Sequence, residues 1–350
     1  MKNSPRRKSR SLRHCLLAFL FAAPTWAATP VPVQKEFRNW VVTCDNLRSC
    51  IAEGADQDNP SLVLRFIRDA GPHDTVSLEI YGSDGDSKHL RVDGKPLSVA
   101  AEDWESEGND EESPLLTSSQ GEVHKLVDAM RNGHKLSSAD ASVSLDGLSA
   151  ALLLIDDVQG RIDTDTAWVR RGYKLPDTVP PAPSMPVIVA APFHGPALMP
   201  AQNDAVVKAA LAKTRQADNA DCDLEGVGDE PRTEATRLNT QEALVLVECA
   251  RGAYQSGYLV FRVPISQPSR AQQISLPWLP GEPAQDVIYE AEFDADKGRL
   301  SQRMKGRGIG DCGESSEWAF DGRAFVLTAV ASEPRCPGIL LDFPDMWRSR

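Results

Sequence analysis

Eight prolines fall among the 25 residues from Pro176 to Pro200. Such a density excludes an α-helix or a central β-strand there and favours extended polyproline geometry. The chain of 350 residues is also longer than most single domains. The sequence therefore predicts two domains, residues 28–175 and 201–350, joined by a proline-rich linker at residues 176–200.

The first 27 residues have the order of a secretory signal peptide. Six basic side chains and no acid accompany an apolar run at 15–23, and Pro24 is followed by Thr25-Trp-Ala-Ala28, which ends in small residues. The apolar run is too short to span a bilayer as a helix. We expect cleavage after Ala27, with Ala28 as the alternative, and a periplasmic or secreted mature protein. No later stretch is long and apolar enough to span a membrane.

Six cysteines follow the predicted signal peptide: Cys44, Cys50, Cys222, Cys249, Cys312 and Cys336. An even number in an exported chain predicts three disulfides. No Cys-x-x-Cys and no zinc-ligand spacing occurs, which argues against a redox enzyme or a zinc site. We expect neighbours to pair, because short loops keep each disulfide within one domain. A crossed map, Cys222–Cys312 with Cys249–Cys336, stays open as the alternative.

The chain is acidic. It carries 38 basic and 50 acidic residues, a net charge of −12, and loss of the signal peptide would leave −18. Such a surface repels phosphate backbones and anionic lipids, so nucleic acid and membranes are poor partners, although the charge could simply keep the protein soluble. Seven acids fall among residues 102–112. This run is either solvated or a site for a basic protein partner, with Trp104 as the candidate interaction residue.

Hydrophobic periodicity predicts an α+β fold made mainly of antiparallel strands. Helices are expected at residues 122–131, 145–155 and 203–216. Strands are expected at residues 35–44, 61–68, 75–81, 242–249, 257–263, 286–293, 299–305 and 323–331.

The glycine segment, residues 306–313, is the densest motif of the chain. A phosphate-binding loop requires a helix after it, whereas Cys312 and polar residues follow here, so the segment is interpreted as a turn held by Cys312. Acidic doublets such as Asp84/Asp86 lack the spacing of a calcium loop. The histidines have no metal-ligand spacing, and no Gly-x-Ser-x-Gly nucleophile motif occurs. No catalytic residue, metal or cofactor is therefore assigned.

Several segments resemble a family of exported bacterial proteins known only as a domain of unknown function. The matching segments are Phe37-Arg-Asn-Trp-Val-Val-Thr-Cys-Asp-Asn46, Cys50-Ile-Ala52 with Gly54, 160–172, Cys249-Ala-Arg-Gly-Ala-Tyr254, 305–313, 318–325 and Cys336. The resemblance implies a bacterial, exported protein and supplies no activity. More weakly, the first domain is similar to the invasion-associated locus B proteins, through Trp40, Cys44 and the segment 126–147. That similarity implies a role at the envelope or in host interaction.

Together these features favour an exported, non-catalytic binding protein whose ligand or partner the sequence does not name. One alternative is an inhibitor of a hydrolase that attacks the cell envelope, since small disulfide-bonded β domains suit that role. The other alternative is a hydrolase whose site is scattered over the fold and invisible in a single sequence. A polar cleft with perturbed carboxyl groups would favour the enzyme, and an exposed apolar patch would favour the binding protein.

Overall fold

The computed structural model describes residue 1 and residues 31–56, 62–106, 113–215, 222–228 and 230–350. Residues 2–27 of the predicted signal peptide and residues 107–112 of the acidic run lie outside these ranges. Among the described residues, no helix combines the length and the apolar character that crossing a bilayer requires.

Helices are few and strands are many in the described part of the chain. The α-helices are α1 (Gln120–Met130), α2 (Leu148–Val158), α3 (Pro200–Thr214) and α4 (Leu224–Val227). Short 3-10 helices occur at Ser87–His89, Ala101–Asp103, Pro176–Thr178 and Pro268–Arg270. The strands are β1 (Val33–Phe37), β2 (Trp40–Cys44), β3 (Cys50–Ala55), β4 (Val63–Arg68), β5 (Val76–Tyr81), β6 (Arg91–Val92), β7 (Lys95–Pro96), β8 (Glu105–Ser106), β9 (Leu115–Thr117), β10 (Lys135–Ser138), β11 (Ala141–Ser144), β12 (Thr233–Arg237), β13 (Glu242–Arg251), β14 (Ser256–Pro264), β15 (Gln272–Gln273), β16 (Val287–Tyr289), β17 (Glu292–Asp294), β18 (Arg299–Lys305), β19 (Gly313–Phe320), β20 (Phe325–Glu333) and β21 (Asp345–Arg348).

The first half of the chain, residues 31–175, is built on a seven-stranded sheet in the order β1-β2-β3-β4-β5-β9-β8. Helix α2 packs on β2 and β3, and α1 packs on β5. Each helix buries an apolar stripe, as the three- and four-residue spacing of Val123, Leu126, Val127 and Met130 requires. Trp40, Phe66 and Trp168 meet at the centre of this core, with ring centroids about 6 Å apart. A smaller sheet, β11-β10-β6-β7, adjoins it.

The described residues of the second half, 201–350, form two sheets. One has the order β12-β13-β14-β15, with β16 also paired to β14, and α3 packs on β13 and β14. The other has the order β17-β18-β19-β20-β21. The pairings of named strands are antiparallel throughout the described residues. The predicted α+β fold with mainly antiparallel strands is therefore confirmed.

Two predicted strands are wrong because each is two strands in the structure. The strand predicted at 35–44 is a hairpin: Phe37 pairs with Trp40, and Arg38 at the turn has φ +55°. The strand predicted at 286–293 breaks at Glu290, whose φ is +45°. Before this break β16 pairs with β14, and after it β17 pairs with β18, so the chain passes from one sheet to the other. Strand β19 was not predicted, because its residues are largely polar.

The proline-rich segment is extended and lies against both halves. Pro180 packs close to Gly160 of the first half, and Val179 is buried. Further on, the N–H of Ile188 donates to the carbonyl of Arg350, and the N–H of Ala191 donates to the carbonyl of Phe320, both at 2.7 Å. Backbone hydrogen bonds therefore fix this segment to the second half.

The carboxy-terminal segment, residues 334–350, returns to the first half. Asn46 exchanges two hydrogen bonds with Arg348, at 2.8 and 3.0 Å, and Asp45 forms an ion pair with the same arginine. Ile339 and Leu341 of this segment pack against the first half at Ala55, Val63 and Tyr81. Because these contacts join the halves, their independence as two domains stays a prediction.

Candidate functional site

The glycine segment forms the hairpin turn between β18 and β19. The N–H of Gly310 donates to the carbonyl of Arg307 at 2.9 Å, which closes a tight turn. Gly313 has φ +136°, and a Cβ there would lie 2.0 Å from the Met304 carbonyl oxygen, so only glycine fits. A strand follows the segment, and no helix amino terminus is present to receive a phosphate. The interpretation as a turn is confirmed.

The base of this turn is held by Asp311, which is buried. Its two carboxylate oxygens accept a bidentate pair of hydrogen bonds from Arg307, and the N–H of Gly338 donates to it at 2.8 Å. Burial alone would raise the pKa of Asp311, but the hydrogen bonds from Arg307 and Gly338 outweigh it and lower the pKa. The Cys312–Cys336 disulfide adds a covalent link between the turn and the carboxy-terminal segment. The turn is therefore fixed at its base.

Asp311, Cys312 and Cys336 are also the group of potential metal ligands that the described residues bring within 4.8 Å of one another. Their two sulfur atoms form the disulfide. Because metal binding by cysteine requires the thiolate, this group is a structural link and not a metal centre.

The segment Cys249–Tyr254, one of those that resemble the exported bacterial family, leads to a hairpin tip that lies against the turn. Gln255, at the tip of the β13–β14 hairpin, accepts a hydrogen bond from the N–H of Lys305 at 2.8 Å and donates to the carbonyl of the same residue at 3.3 Å. The ring of Tyr254 lies 3.8 Å from the position that a Cβ on Gly308 would take. Tyr254 is 46% exposed and Ile309, at the tip of the turn, is 60% exposed. The fold thus brings two apolar side chains to one exposed place.

Three cations belong to the same strand and turn as Ile309. We call the whole surface the turn face, and its residues are Tyr254, Arg303, Lys305, Arg307 and Ile309. Arg303, Arg307 and Ile309 are exposed, and Lys305 is half-buried beside Gly310. A fixed surface with apolar and cationic side chains is suited to binding another molecule.

Next to the turn face, a polar cleft of about 280 Å³ lies between the two halves. Glu36 and Asp56 line it from the first half, and Arg307 and Arg335 line it from the second. Arg335 is only 5% exposed, and its guanidinium contacts Glu36 at 3.3 Å and the carbonyl of Arg38. Its Nε and Nη1 atoms have no hydrogen-bond partner among the described residues. The cleft wall therefore holds a buried cation whose donors are only partly used.

Behind this cleft, one arginine joins two carboxyl groups from different halves. Arg65 Nε donates to Glu53 Oε2 at 2.6 Å, and Arg65 Nη2 lies 3.8 Å from Glu333 Oε2. Arg65 Nη1 also donates to the carbonyl of Asp342 at 2.9 Å. All three charged side chains are almost completely buried. This cluster, Glu53–Arg65–Glu333, is the ionic centre of the junction.

Ionising both carboxyl groups of the cluster would cost free energy. Glu53 Oε1 and Glu333 Oε2 are buried without a hydrogen-bond partner, and one arginine balances only one negative charge. Burial, and then the nearby charge of Glu53, raise the pKa of Glu333 to about 9. A proton on Glu333 removes the second charge and supplies the missing donor between the two carboxyl groups.

This arrangement predicts that the protein loses stability as the pH rises. The folded-state pKa of Glu333 lies above its ordinary value of 4.5, so the folded protein keeps a proton that the unfolded chain releases. The contribution to the free energy of unfolding is complete below 4.5 and is lost as the pH rises to about 9. Glu333→Gln, which stays neutral, should flatten this decline in denaturant unfolding measured across that range. The control is Glu292→Gln, at an exposed strand position. An unchanged slope in Glu333→Gln would contradict the prediction.

A second buried ionic cluster lies in the first half and is structural. Arg68 Nε donates to Asp74 at 2.5 Å, and Arg161 lies 3.3 Å from the same carboxylate. Asp156 lies 3.6 Å from Arg68 and accepts the N–H of Trp168 at 2.9 Å. Burial lowers the pKa of Arg161 to about 10. These ionic contacts and hydrogen bonds are shielded from solvent and fix α2 and the following loop to β4.

The six predicted disulfide residues pair as Cys44–Cys50, Cys222–Cys249 and Cys312–Cys336. These are the neighbour pairs, and the crossed map does not occur.

Trp104, the candidate interaction residue of the acidic run, is buried in the core of the first half. It is 9% exposed, and its Nε1 donates to Glu122 at 3.4 Å. Because its apolar ring packs in the core, Trp104 offers little surface to a partner, and its role as an interaction residue stays a prediction.

The comparisons with known proteins agree on an uncharacterised family. The family described as "Protein of unknown function (DUF1176)" matches residues 34–350. The chain is also similar to the "Uncharacterized protein YpfG" of Escherichia coli (strain K12), with 31% identity over 349 residues that cover 95% of this chain and 96% of that protein. No solved structure matches the chain. Because the family match includes both halves, the cleft and the turn face, the chain belongs to the DUF1176 family of proteins of unknown function.

Proposed function

We propose that this chain is an exported, non-catalytic protein that binds another protein through the turn face. The observation that carries the proposal is the fixed exposure of Tyr254 and Ile309 on a turn held by Asp311 and by the Cys312–Cys336 disulfide. A preorganised surface loses little conformational freedom on binding, and aromatic and aliphatic side chains contribute most of the affinity in such interfaces.

Export is supported by two independent features. The basic, apolar and small-residue order of residues 1–28 is typical of a cleavable signal peptide. Three disulfides indicate an oxidising compartment. The weaker resemblance of the first half to the invasion-associated locus B proteins favours a role at the envelope or in host interaction. We place the protein in the periplasm or among secreted proteins.

The position of Glu333 and Asp156, two carboxyl groups whose pKa burial raises, supports binding over catalysis. Glu333, whose pKa is raised furthest, is 1% exposed and is held against Arg65. A general acid must contact its substrate, and a group so enclosed cannot do so. Asp156, whose pKa is also raised by burial, is enclosed in the same way. These shifts are explained by packing at the junction and in the core.

Inhibition of an envelope-attacking hydrolase is the second candidate, and one observation favours it. The exposed tip of the turn, Gly308 and Ile309, projects from a base fixed by a disulfide and by the Arg307–Asp311 pair. A rigid exposed loop of this kind can enter an active-site cleft without the cost of ordering it. The same turn face would then contact the enzyme.

Affinity capture from envelope extracts tests the proposed function. The intact oxidised protein is compared with Tyr254→Ser/Ile309→Ser, and the control is Val187→Ser/Val189→Ser, which changes two other exposed apolar side chains. We expect the unaltered protein and the control to retain the same partner. The turn-face variant should bind it about 10- to 100-fold more weakly, as loss of two central contacts predicts. Equal capture by all three proteins would contradict the proposal.

A further inference from the structure

Four of the five turn-face residues lie in a basic stretch of an acidic protein. The chain has a net charge of −12, yet residues 297–310 include five basic side chains and no acid. Residues 299–305 of this stretch form β18, and residues 306–310 form the first part of the turn. The local charge is therefore opposite to that of the whole molecule.

Three of the five cations are neutralised by neighbours. Lys297 pairs with Asp294 at 2.9 Å, Arg299 pairs with Glu317, and Arg307 pairs with Asp311. Among the described residues, neither Arg303 nor Lys305 forms an ion pair with a carboxylate.

Arg303 and Lys305 lie on the same side of β18, two residues apart. Their cross-strand partners are Ser315 and Gly313, which carry no charge. The guanidinium of Arg303 lies over the ring of Phe343, 5.7 Å from its centroid, which supports the side chain and leaves its charge unbalanced. Two positive charges without an ion pair thus lie on the strand that leads into the exposed turn.

We propose that the partner bound at the turn face presents an acidic protein segment with apolar side chains, whose carboxylates contact Arg303 and Lys305. This inference rests on the proposed function and specifies the chemistry of its partner. The carboxylates would balance the two free cations, and the apolar side chains would pack against Tyr254 and Ile309. Charge complementarity of this kind raises the association rate and excludes partners of the wrong sign.

The overall charge favours a compact protein segment over an extended polyanion. A membrane or a nucleic acid would bring many negative charges close to a surface whose net charge is −12. A short acidic segment meets only the turn face, because charges beyond about 8 Å are largely screened at physiological salt. Tyr254 and Ile309 also require apolar contacts, which a phosphate backbone does not provide.

A defined peptide tests the inference. The probe is a short fluorescent peptide of repeated Glu-Glu-Leu units, and binding to the full oxidised protein is measured by fluorescence anisotropy. Arg303→Gln/Lys305→Gln should bind it about tenfold more weakly, since two partly exposed charge contacts are lost. The matched control is Lys208→Gln/Arg270→Gln, which removes one exposed lysine and one exposed arginine elsewhere in the second half. The control should bind like the unaltered protein, and added salt should weaken binding only where Arg303 and Lys305 are present.

Three results would overturn the inference. They are equal weakening in both double variants, absence of any binding of the peptide, and equal binding of a Lys-Lys-Leu peptide or of phosphatidylglycerol vesicles. Thermal unfolding of each variant shows that it is folded. The capture experiment separates this inference from the function it rests on. If Arg303→Gln/Lys305→Gln still captures the partner that Tyr254→Ser/Ile309→Ser loses, the turn face is the binding surface and its partner is not acidic.

Discussion

Replacing Arg65 with methionine should lower the free energy of unfolding by about 3–5 kcal/mol, the usual cost of removing one member of a buried ion pair. Arg65 is the single cation between Glu53 and Glu333, and its loss leaves buried carboxyl groups without a balancing charge. The hydrogen bond to the Asp342 carbonyl is lost as well. Denaturant unfolding of the oxidised protein at neutral pH measures the effect.

Two further variants make the Arg65 experiment specific. Arg65→Met/Glu53→Gln removes the uncompensated charge and should recover part of the loss. Arg270→Met changes an exposed arginine and should stay within about 0.5 kcal/mol of the unaltered protein. If Arg65→Met costs no more than Arg270→Met, the cluster does not stabilise the junction.

Cys312→Ser or Cys336→Ser should lower the free energy of unfolding by about 3 kcal/mol. These cysteines are 24 residues apart, and in the chain-entropy model a loop of that size gives about this value. Cys44 and Cys50 are only six residues apart, so Cys50→Ser should cost less, about 2 kcal/mol. Denaturant unfolding under non-reducing conditions measures each loss.

Peptide mapping without reduction is the companion measurement for the disulfides. It should recover Cys44–Cys50, Cys222–Cys249 and Cys312–Cys336 as separate linked peptides. A bridge from Cys44 or Cys50 to a later cysteine would contradict this map. If the losses in the free energy of unfolding do not follow loop length, then packing around the sulfur atoms, and not chain entropy, is the source of the stabilisation.

Local periodicity was sufficient for the helices and for strands with clear alternation. Helix α1 was expected at 122–131 and is found at Gln120–Met130, and β18 has the predicted bounds. Breaks at Arg38 and Glu290 could not be seen, because neither has a Gly or Pro signal. They arise where the chain changes its pairing partner, which depends on the tertiary fold and not on the local sequence.

The sequence predicts only part of the candidate site, for the same reason. The glycine segment and its cysteine stood out because turns and disulfides have strong sequence signals. Glu53, Arg65 and Glu333 were missed, since a charged residue in a strand pattern is usually solvent-exposed. Their meeting depends on contacts between residues more than 260 apart, such as Arg65 with Asp342 at a separation of 277. An arginine within an otherwise apolar strand pattern was the one available indication.

Because residues 334–350 pack against the first half, the ribosome makes the first half well before the segment that covers it. Asn46 and its partner Arg348 are separated by 302 residues. At about 5–20 residues per second, the ribosome makes the second partner roughly 15–60 s after the first. During that interval Arg65 and Glu53 exist without Glu333, and the surface at Ala55 and Val63 has nothing to cover it. The nascent first half is therefore most exposed to proteolysis and aggregation before the second half has emerged. Chaperones that bind the first half in that interval would protect it from both.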